Sequence, residues 1–159
     1  MAIFAYIQDD INTDLLYPGK YTYLGTKPSD IKEHLLEDLD PTFKDRVKNG
    51  DIIIAGKNFG CGSSREQPNV GLKYVGIQAI IAKSFSRIFF RSATNQGLLL
   101  IELPAVVDAY KEGDFIEIDS KKGVVLLNNT QFNFPALPTE MQNILKAGGL
   151  LEYIKENLK

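Results

Sequence analysis

Apolar and polar positions change period several times along the chain, and each change marks an element. Ile3 to Ile7 form a short β-type run ahead of the acidic pair Asp9-Asp10. Residues 12–27 carry Pro18, Gly19 and Gly25 among three tyrosines and predict a long loop. Lys27-Pro28-Ser29-Asp30 opens a helix, with proline in its tolerated first turn. Ile31, Leu35 and Leu39 recur at a spacing of four, which gives that helix one apolar face. Asp40 before Pro41 is placed to cap a further short helix.

After Asn49-Gly50 the pattern becomes β-branched. Ile52-Ile53-Ile54-Ala55 predicts a buried strand, residues 65–74 a helix, and residues 76–82 a second buried strand. Ser84 to Asn95 predicts a helix with Phe85, Ile88, Phe89 and Ala93 on its apolar face, closed by Gly97. Leu98 to Leu103 is the third strand. Strands separated by helices pair in parallel through crossovers. The last third differs: residues 115–119, a Lys121-Lys122-Gly123 turn and residues 124–127 form a hairpin. Helices over about 139–146 and 149–158 follow. With no repeat, low-complexity tract or linker, the pattern describes one compact α/β domain with mixed strands over residues 1–159.

Composition narrows the function. A chain of 159 residues, 44% hydrophobic, can bury a core of its own. Lysine and arginine total 18 against 20 acidic residues, a net charge of −2, which argues against a phosphate-gripping nucleic-acid binder. The single Cys61 excludes an internal disulfide. Cys61 and the single His34 cannot complete a Cys/His zinc site or hold an iron–sulfur cluster, so no metal site is expected on this chain. No apolar run approaches the roughly 20 residues that span a bilayer, and the N-terminus lacks a basic leader region, so the expected location is cytoplasmic, without membrane attachment. An enzyme built this way would need unusual chemistry or a site completed by another molecule.

The chemistry concentrates in Asn58-Phe59-Gly60-Cys61-Gly62-Ser63-Ser64-Arg65-Glu66, between a strand and a helix. Ligands bind at such junctions because free N–H groups and the helix dipole point there. Gly60 and Gly62 form the turn by allowing positive φ and close approach. Arg65 offers a planar fork suited to carboxylate beside two hydroxyls. The Walker pattern is absent, and Arg65 stands where a dinucleotide fingerprint needs its third glycine. A plainer alternative is helix capping, since Ser63 and Glu66, or Ser64 and Gln67, have the spacing of a capping box. A non-catalytic module binding carboxylate or phosphate would use the same turn.

These residues resemble the signature of the swivel domain of aconitase-type hydro-lyases, and most of all the separate small subunits of the isopropylmalate dehydratase type. Asn12-Thr13-Asp14 with Pro18-Gly19, Lys83 to Arg91, Asn95-x-Gly97-Leu98 and Ala147-Gly148-Gly149-Leu150 agree in order across the whole chain. The resemblance implies a single aconitase-like β/β/α swivel domain over residues 1–159 with a mixed sheet. It implies the small subunit of a heteromeric lyase that interconverts 2- and 3-isopropylmalate by dehydration and rehydration, in leucine biosynthesis, and that acts only with its partner. Dimethylmalate, methylmalate/citraconate and homoaconitate-type substrates are the alternatives within the family. A large subunit would carry the 4Fe-4S cluster, with no cofactor on this chain. Ser63 would be the base that takes the carbon-bound proton, and Ser64 and Arg65 would bind substrate carboxylate. An aliphatic hydroxyl can act as a base only in a preorganised positive surrounding. The family usually has histidine where this chain has Gln67.

The resemblance also assigns substrate choice to the loop after Pro18-Gly19, here Tyr21-Thr22-Tyr23-Leu24-Gly25-Thr26. It lacks the arginine of homoaconitase-type loops, and Tyr23 and Leu24 would offer an apolar wall to an isopropyl or methyl arm. The alternative is that Tyr21 and Tyr23 merely anchor the loop. His34 reads as a partly exposed helix residue, and Cys61 as a packed turn residue whose pKa a nearby Arg and helix start could lower. Arg87 and Arg91, one helical turn apart, either pair with acids or face the partner. Lys121-Lys122 reads as a solvated hairpin tip.

Overall fold

The computed structural model describes residues 1–158. Four parallel strands, β1 (Ile3–Tyr6), β2 (Ile52–Ala55), β3 (Ala79–Ala82) and β4 (Leu99–Glu102), lie side by side in chain order. Ile3, Ile52, Ala79 and Leu99 share one register level. β2 and β3 are buried at every position, which is why they read as unbroken apolar runs. Alternation divides their side chains between two cores. Phe4, Ile53, Ala55, Ile80, Ala82 and Leu100 face the helical layer. Ile52, Ile54, Ile81 and Ile101 face the opposite way, toward a second sheet.

That second sheet is antiparallel: β5 (Ile116–Asp119), β6 (Val124–Leu127) and β7 (Thr130–Asn133). The layers run helix, sheet, sheet, the expected β/β/α order, but in place of one mixed sheet the parallel and antiparallel strands are divided between two sheets. Ile116, Val125 and Leu127 close the second core together with Val106 and Val107. The two valines lie on the helix Pro104–Ala109. That helix and β7 carry no periodic run of their own, so the hydrophobic pattern does not predict them.

The helical layer holds α1 (Thr13–Leu16), α2 (Pro28–Lys32), α3 (Phe43–Arg46), α4 (Gln67–Tyr74) and α5 (Arg87–Asn95). With Pro104–Ala109 as α6, the chain ends in α7 (Thr139–Ala147) and α8 (Leu150–Asn157). Several predicted boundaries move. The segment 12–27 is not irregular: it holds α1 and a 3-10 helix over Gly19–Leu24. Asn12 starts α1 by accepting from the Leu15 N–H at 2.9 Å. α2 stops at Lys32, but the turns after it keep Ile31 and Leu35 buried. Asp40 caps no helix; its carboxylate instead takes hydrogen bonds from the Tyr6 hydroxyl at 2.7 Å and from Arg46 and Thr42. α5 starts at Arg87 with Ser86 as its cap, and Ile88 is 59% exposed rather than packed. Among the described residues no helix is long and apolar enough to cross a membrane.

Candidate active site

The glycine-serine-arginine turn leaves the C-terminal end of β2, a central strand, so segments following β1 and β3 flank it. The turn's backbone borrows hydrogen bonds from both. Gly60 N–H donates to Ile11 at 2.8 Å, and Thr13 N–H donates to Cys61 at 2.8 Å. Phe59 N–H donates to Ser84, and Ser86 N–H donates back to Phe59, each at 3.0 Å. The sheet is thereby prolonged just beyond its strands, at the edge where parallel sheets hold ligands.

The two turn glycines are required sterically. Gly60 has φ +80°, and a Cβ there would lie 2.1 Å from Cγ of Phe89. Gly62 has φ +109°, and a Cβ there would lie 3.0 Å from the Thr13 hydroxyl. Both positions therefore need positive φ and close approach together.

Three chain segments meet around the Ser63 hydroxyl. The Arg65 Nε donates to Ser63 Oγ at 2.8 Å. Thr13 Oγ1 lies 3.2 Å from Ser63 Oγ and accepts from the Ser63 N–H at 3.1 Å. Thr13 is buried, at 3% exposure, and holds both the N–H and the hydroxyl of Ser63. Arg65 also donates through Nη2 to Asp14 at 2.8 Å and through Nη1 to Thr22 at 3.3 Å. Asp14 takes the Gly19 N–H as well, at 3.1 Å. Ser63 and Ser64 are exposed, and Ser64 takes no part in this network.

The capping alternative does not describe this turn. α4 begins at Gln67, its N-cap position is Glu66, and no side chain caps it. Neither serine serves the helix, so both hydroxyls remain for other work. Gln67 is buried and turned the other way: its Nε2 donates to the carbonyls of Thr22 at 3.1 Å and Gly25 at 2.7 Å. No motif spacing marks that contact, because Gln67 and the loop are far apart in sequence.

The loop from Tyr21 to Thr26 separates into parts. Tyr21 is an anchor: its hydroxyl donates to Glu37 at 3.0 Å, and its ring stacks on His34 with centroids 3.6 Å apart. Tyr23 makes no side-chain hydrogen bond among the described residues and is 81% exposed. Thr22 faces Arg65, while Gly25 and Thr26 are exposed at the far end. The hydrogen bond from His34 holds the Glu37 carboxyl below its usual range, helped by the Tyr21 hydroxyl against the opposing effect of burial.

The remaining candidates lie apart from Ser63. His34 sits in the turn after α2 and belongs to the Tyr21–Glu37 cluster. Burial, with Asp10 nearby, pushes the Cys61 thiol up, the reverse of the activation that a nearby Arg and helix start could have caused. Arg87 and Arg91 are exposed and form no ion pair among the described residues. They border a cavity of about 780 Å³ floored by Phe85, Phe90, Met141 and Ile144. Lys121 and Lys122 are exposed at the hairpin tip, their N–H groups held by Asp119.

Comparison with known proteins places the geometry in a wider set. A family profile described as "Aconitase C-terminal domain" matches residues 4–106. A protein named 3-isopropylmalate dehydratase small subunit from Caldicellulosiruptor saccharolyticus is 47% identical over 154 residues, covering 95% of this chain and 88% of the relative. One of the same name from Aquifex aeolicus is 47% identical, covering 94% of this chain and 90% of the relative. A crystal structure of 3-isopropylmalate dehydratase from Methanocaldococcus jannaschii superposes with a TM-score of 0.87 at 41% identity, covering 99% of this chain and 93% of that one.

Proposed function

From the premise that this chain belongs to the 3-isopropylmalate dehydratase small-subunit family, with its aconitase C-terminal domain, we propose that the Ser63–Arg65 turn is its half of a divided active site. The chain is the small subunit of a hydro-lyase that isomerises 2- and 3-isopropylmalate, a step of leucine biosynthesis, and it works with a large subunit.

In this reading Ser63, as its alkoxide, takes the carbon-bound proton of the malate derivative and becomes the neutral hydroxyl. The carbon–hydrogen electron pair becomes the new carbon–carbon double bond as hydroxide leaves the neighbouring carbon. In rehydration hydroxide adds to the carbon that gave up its proton, and Ser63 returns the proton to the carbon that lost hydroxide, which regenerates the alkoxide. The observation that carries the assignment is the donation of Arg65 Nε to Ser63 Oγ at 2.8 Å, with the Thr13 hydroxyl in hydrogen-bond contact with the same oxygen at 3.2 Å. Donors aimed at an oxygen before charge develops on it stabilise the alkoxide without reorganisation. Arg65 and the exposed Ser64 hydroxyl bind a substrate carboxylate, which competes with Asp14 for the guanidinium. Tyr23 and Leu24 face the variable arm.

The 4Fe-4S cluster of the family does not fit on this chain. A cluster needs several thiolate ligands, and the chain has one cysteine. Among the described residues no three His, Cys, Asp or Glu side chains are grouped to hold a metal. We assign the cluster to the large subunit. The exposure of Ser63 and Ser64 accords with a site that a second chain covers.

The test is reconstitution. The purified chain alone should show negligible hydro-lyase activity, and its mixture with a cluster-loaded large subunit should isomerise isopropylmalate. A pair that assembles yet transforms no malate derivative would refute the reading.

A further inference from the structure

Gln67 spans the substrate loop from below. Its single amide nitrogen donates to two backbone carbonyls, Thr22 at 3.1 Å and Gly25 at 2.7 Å. Those carbonyls bracket Tyr23 and Leu24, the two residues placed against the arm of the substrate. Gln67 is 4% exposed, so water does not substitute readily for either bond. Both partners are acceptors, which requires the nitrogen rather than the oxygen of the amide to face them. Gln67 also opens α4, two residues after Arg65. The loop is thus tied both to the Ser63 turn, by Arg65 through Thr22, and to the helix that follows it, by Gln67. Tyr21 is tethered separately, its hydroxyl to Glu37 and its carbonyl to the Tyr17 hydroxyl. With its flanks held, Tyr23 stands outward at 81% exposure.

We infer that Gln67 is a positioning residue for substrate selection, fixing where Tyr23 and Leu24 meet the hydrocarbon arm; the inference rests on the proposed role of this loop. The Gln67 side chain hydrogen-bonds the loop rather than Ser63, so its effect falls on binding of the arm. A carboxylate at this position would face two carbonyls with no proton to donate. An imidazole would reach one carbonyl with one N–H. Methionine keeps the length and shape but donates nothing.

The experiment uses the assembled pair with Gln67→Met, Gln67→His and the unchanged chain. KM and kcat are measured for isopropylmalate and for a malate carrying methyl in its place. Gln67→Met should raise KM for isopropylmalate about tenfold with kcat within about twofold, the pattern of lost binding rather than lost chemistry. KM for the methyl compound should move less than about threefold, so selectivity narrows. Gln67→His should recover part of the loss. Amide exchange over residues 23–26 of the assembled pair should quicken in Gln67→Met and gives a readout independent of turnover. Unchanged selectivity and exchange in a folded Gln67→Met pair would overturn the inference, as would a fall in kcat at constant KM. An unchanged pair inert toward every malate would overturn the parent reading and this inference together, so the two failures are distinguishable.

Discussion

Replacing Arg65 by lysine separates the chemistry of the turn from its stability. The substitution keeps the positive charge and most of the stem but removes the fork. The guanidinium serves Ser63 through Nε, Asp14 through Nη2 and Thr22 through Nη1. One ammonium cannot hold these three directions. The stability cost is small because Asp14 is 70% exposed, and such pairs contribute about 0–1 kcal/mol. A loss of that size shifts the melting temperature of a domain this large by no more than about 2–4 °C. The catalytic cost expected from the proposed role is larger, because Nε donates to the oxygen that must be held as an alkoxide for Ser63 to act as a base. Removing one donor of that kind costs about 2.7–4 kcal/mol, or about 10²–10³ in kcat. The assay is isomerisation by the reconstituted pair, beside thermal melting of each variant. Turnover within about threefold of the parent, in a pair that assembles normally, would refute the assignment of Arg65 as the group that makes Ser63 basic.

Gly60→Ala should destabilise the chain by about 3 kcal/mol in urea unfolding, from a positive φ that disfavours Cβ and from overpacking. Phe89, 2.1 Å from the new Cβ, is buried against Phe59 and Phe85 and cannot swing away; a loss below about 0.5 kcal/mol would show that the turn relaxes. Asp40 should make the fold acid-sensitive. Burial opposes its charge, but hydrogen bonds from Tyr6, Arg46 and Thr42 outweigh that and hold its carboxyl below the usual range. A lowered folded pKa means stability that is present above the unfolded value, about 4, and lost as pH falls through the folded one. Asp40→Asn should cost about 1–2 kcal/mol at pH 7 and progressively less below pH ~4; a gap constant with pH would contradict this.

What the sequence revealed follows from what is local. Ile52 to Ala55 and residues 79–82 are buried on both faces, so their apolar runs declared them as strands. Gly60 and Gly62 announced the turn because no other residue fits there. α6 escaped notice because Pro104-Ala105-Val106-Val107 buries only two valines in six residues, too few for a period. β7 escaped because its alternation is exposed except at Phe132, which packs on the second core. Ile88 was misplaced because an apolar residue on a helix flank has the same spacing as one on its buried face. In the site, Ser63 and Arg65 were legible as neighbours, but Thr13, Asp14 and Thr22 became their partners only when the segments after β1 and β2 came together. Gln67 suggested a capping role from spacing alone. Its two real acceptors lie 45 and 42 residues away, beyond the reach of any local rule.

The shortage of cysteine and histidine, which excludes a self-contained metal or triad site, has a structural counterpart in Arg65. A chain holding half of a site must keep its polar groups satisfied while the other half is absent, yet release them to substrate. Arg65 meets both demands because its nitrogens go to partners of different kinds. Asp14 is exposed and held by a weak surface pair, so an entering carboxylate can displace it at little cost. Ser63 is fixed instead by Thr13, which is buried and bonded to both the N–H and the hydroxyl of that serine. The guanidinium can therefore exchange one partner without losing the other. This division makes the Arg65→Lys effect depend on Ser63. If the lysine variant fails because Ser63 loses its donor, adding Ser63→Ala should cost little more, since the acceptor is already idle. If the two losses instead multiply, Arg65 acts on the substrate alone, and the preorganised hydroxyl requires another explanation.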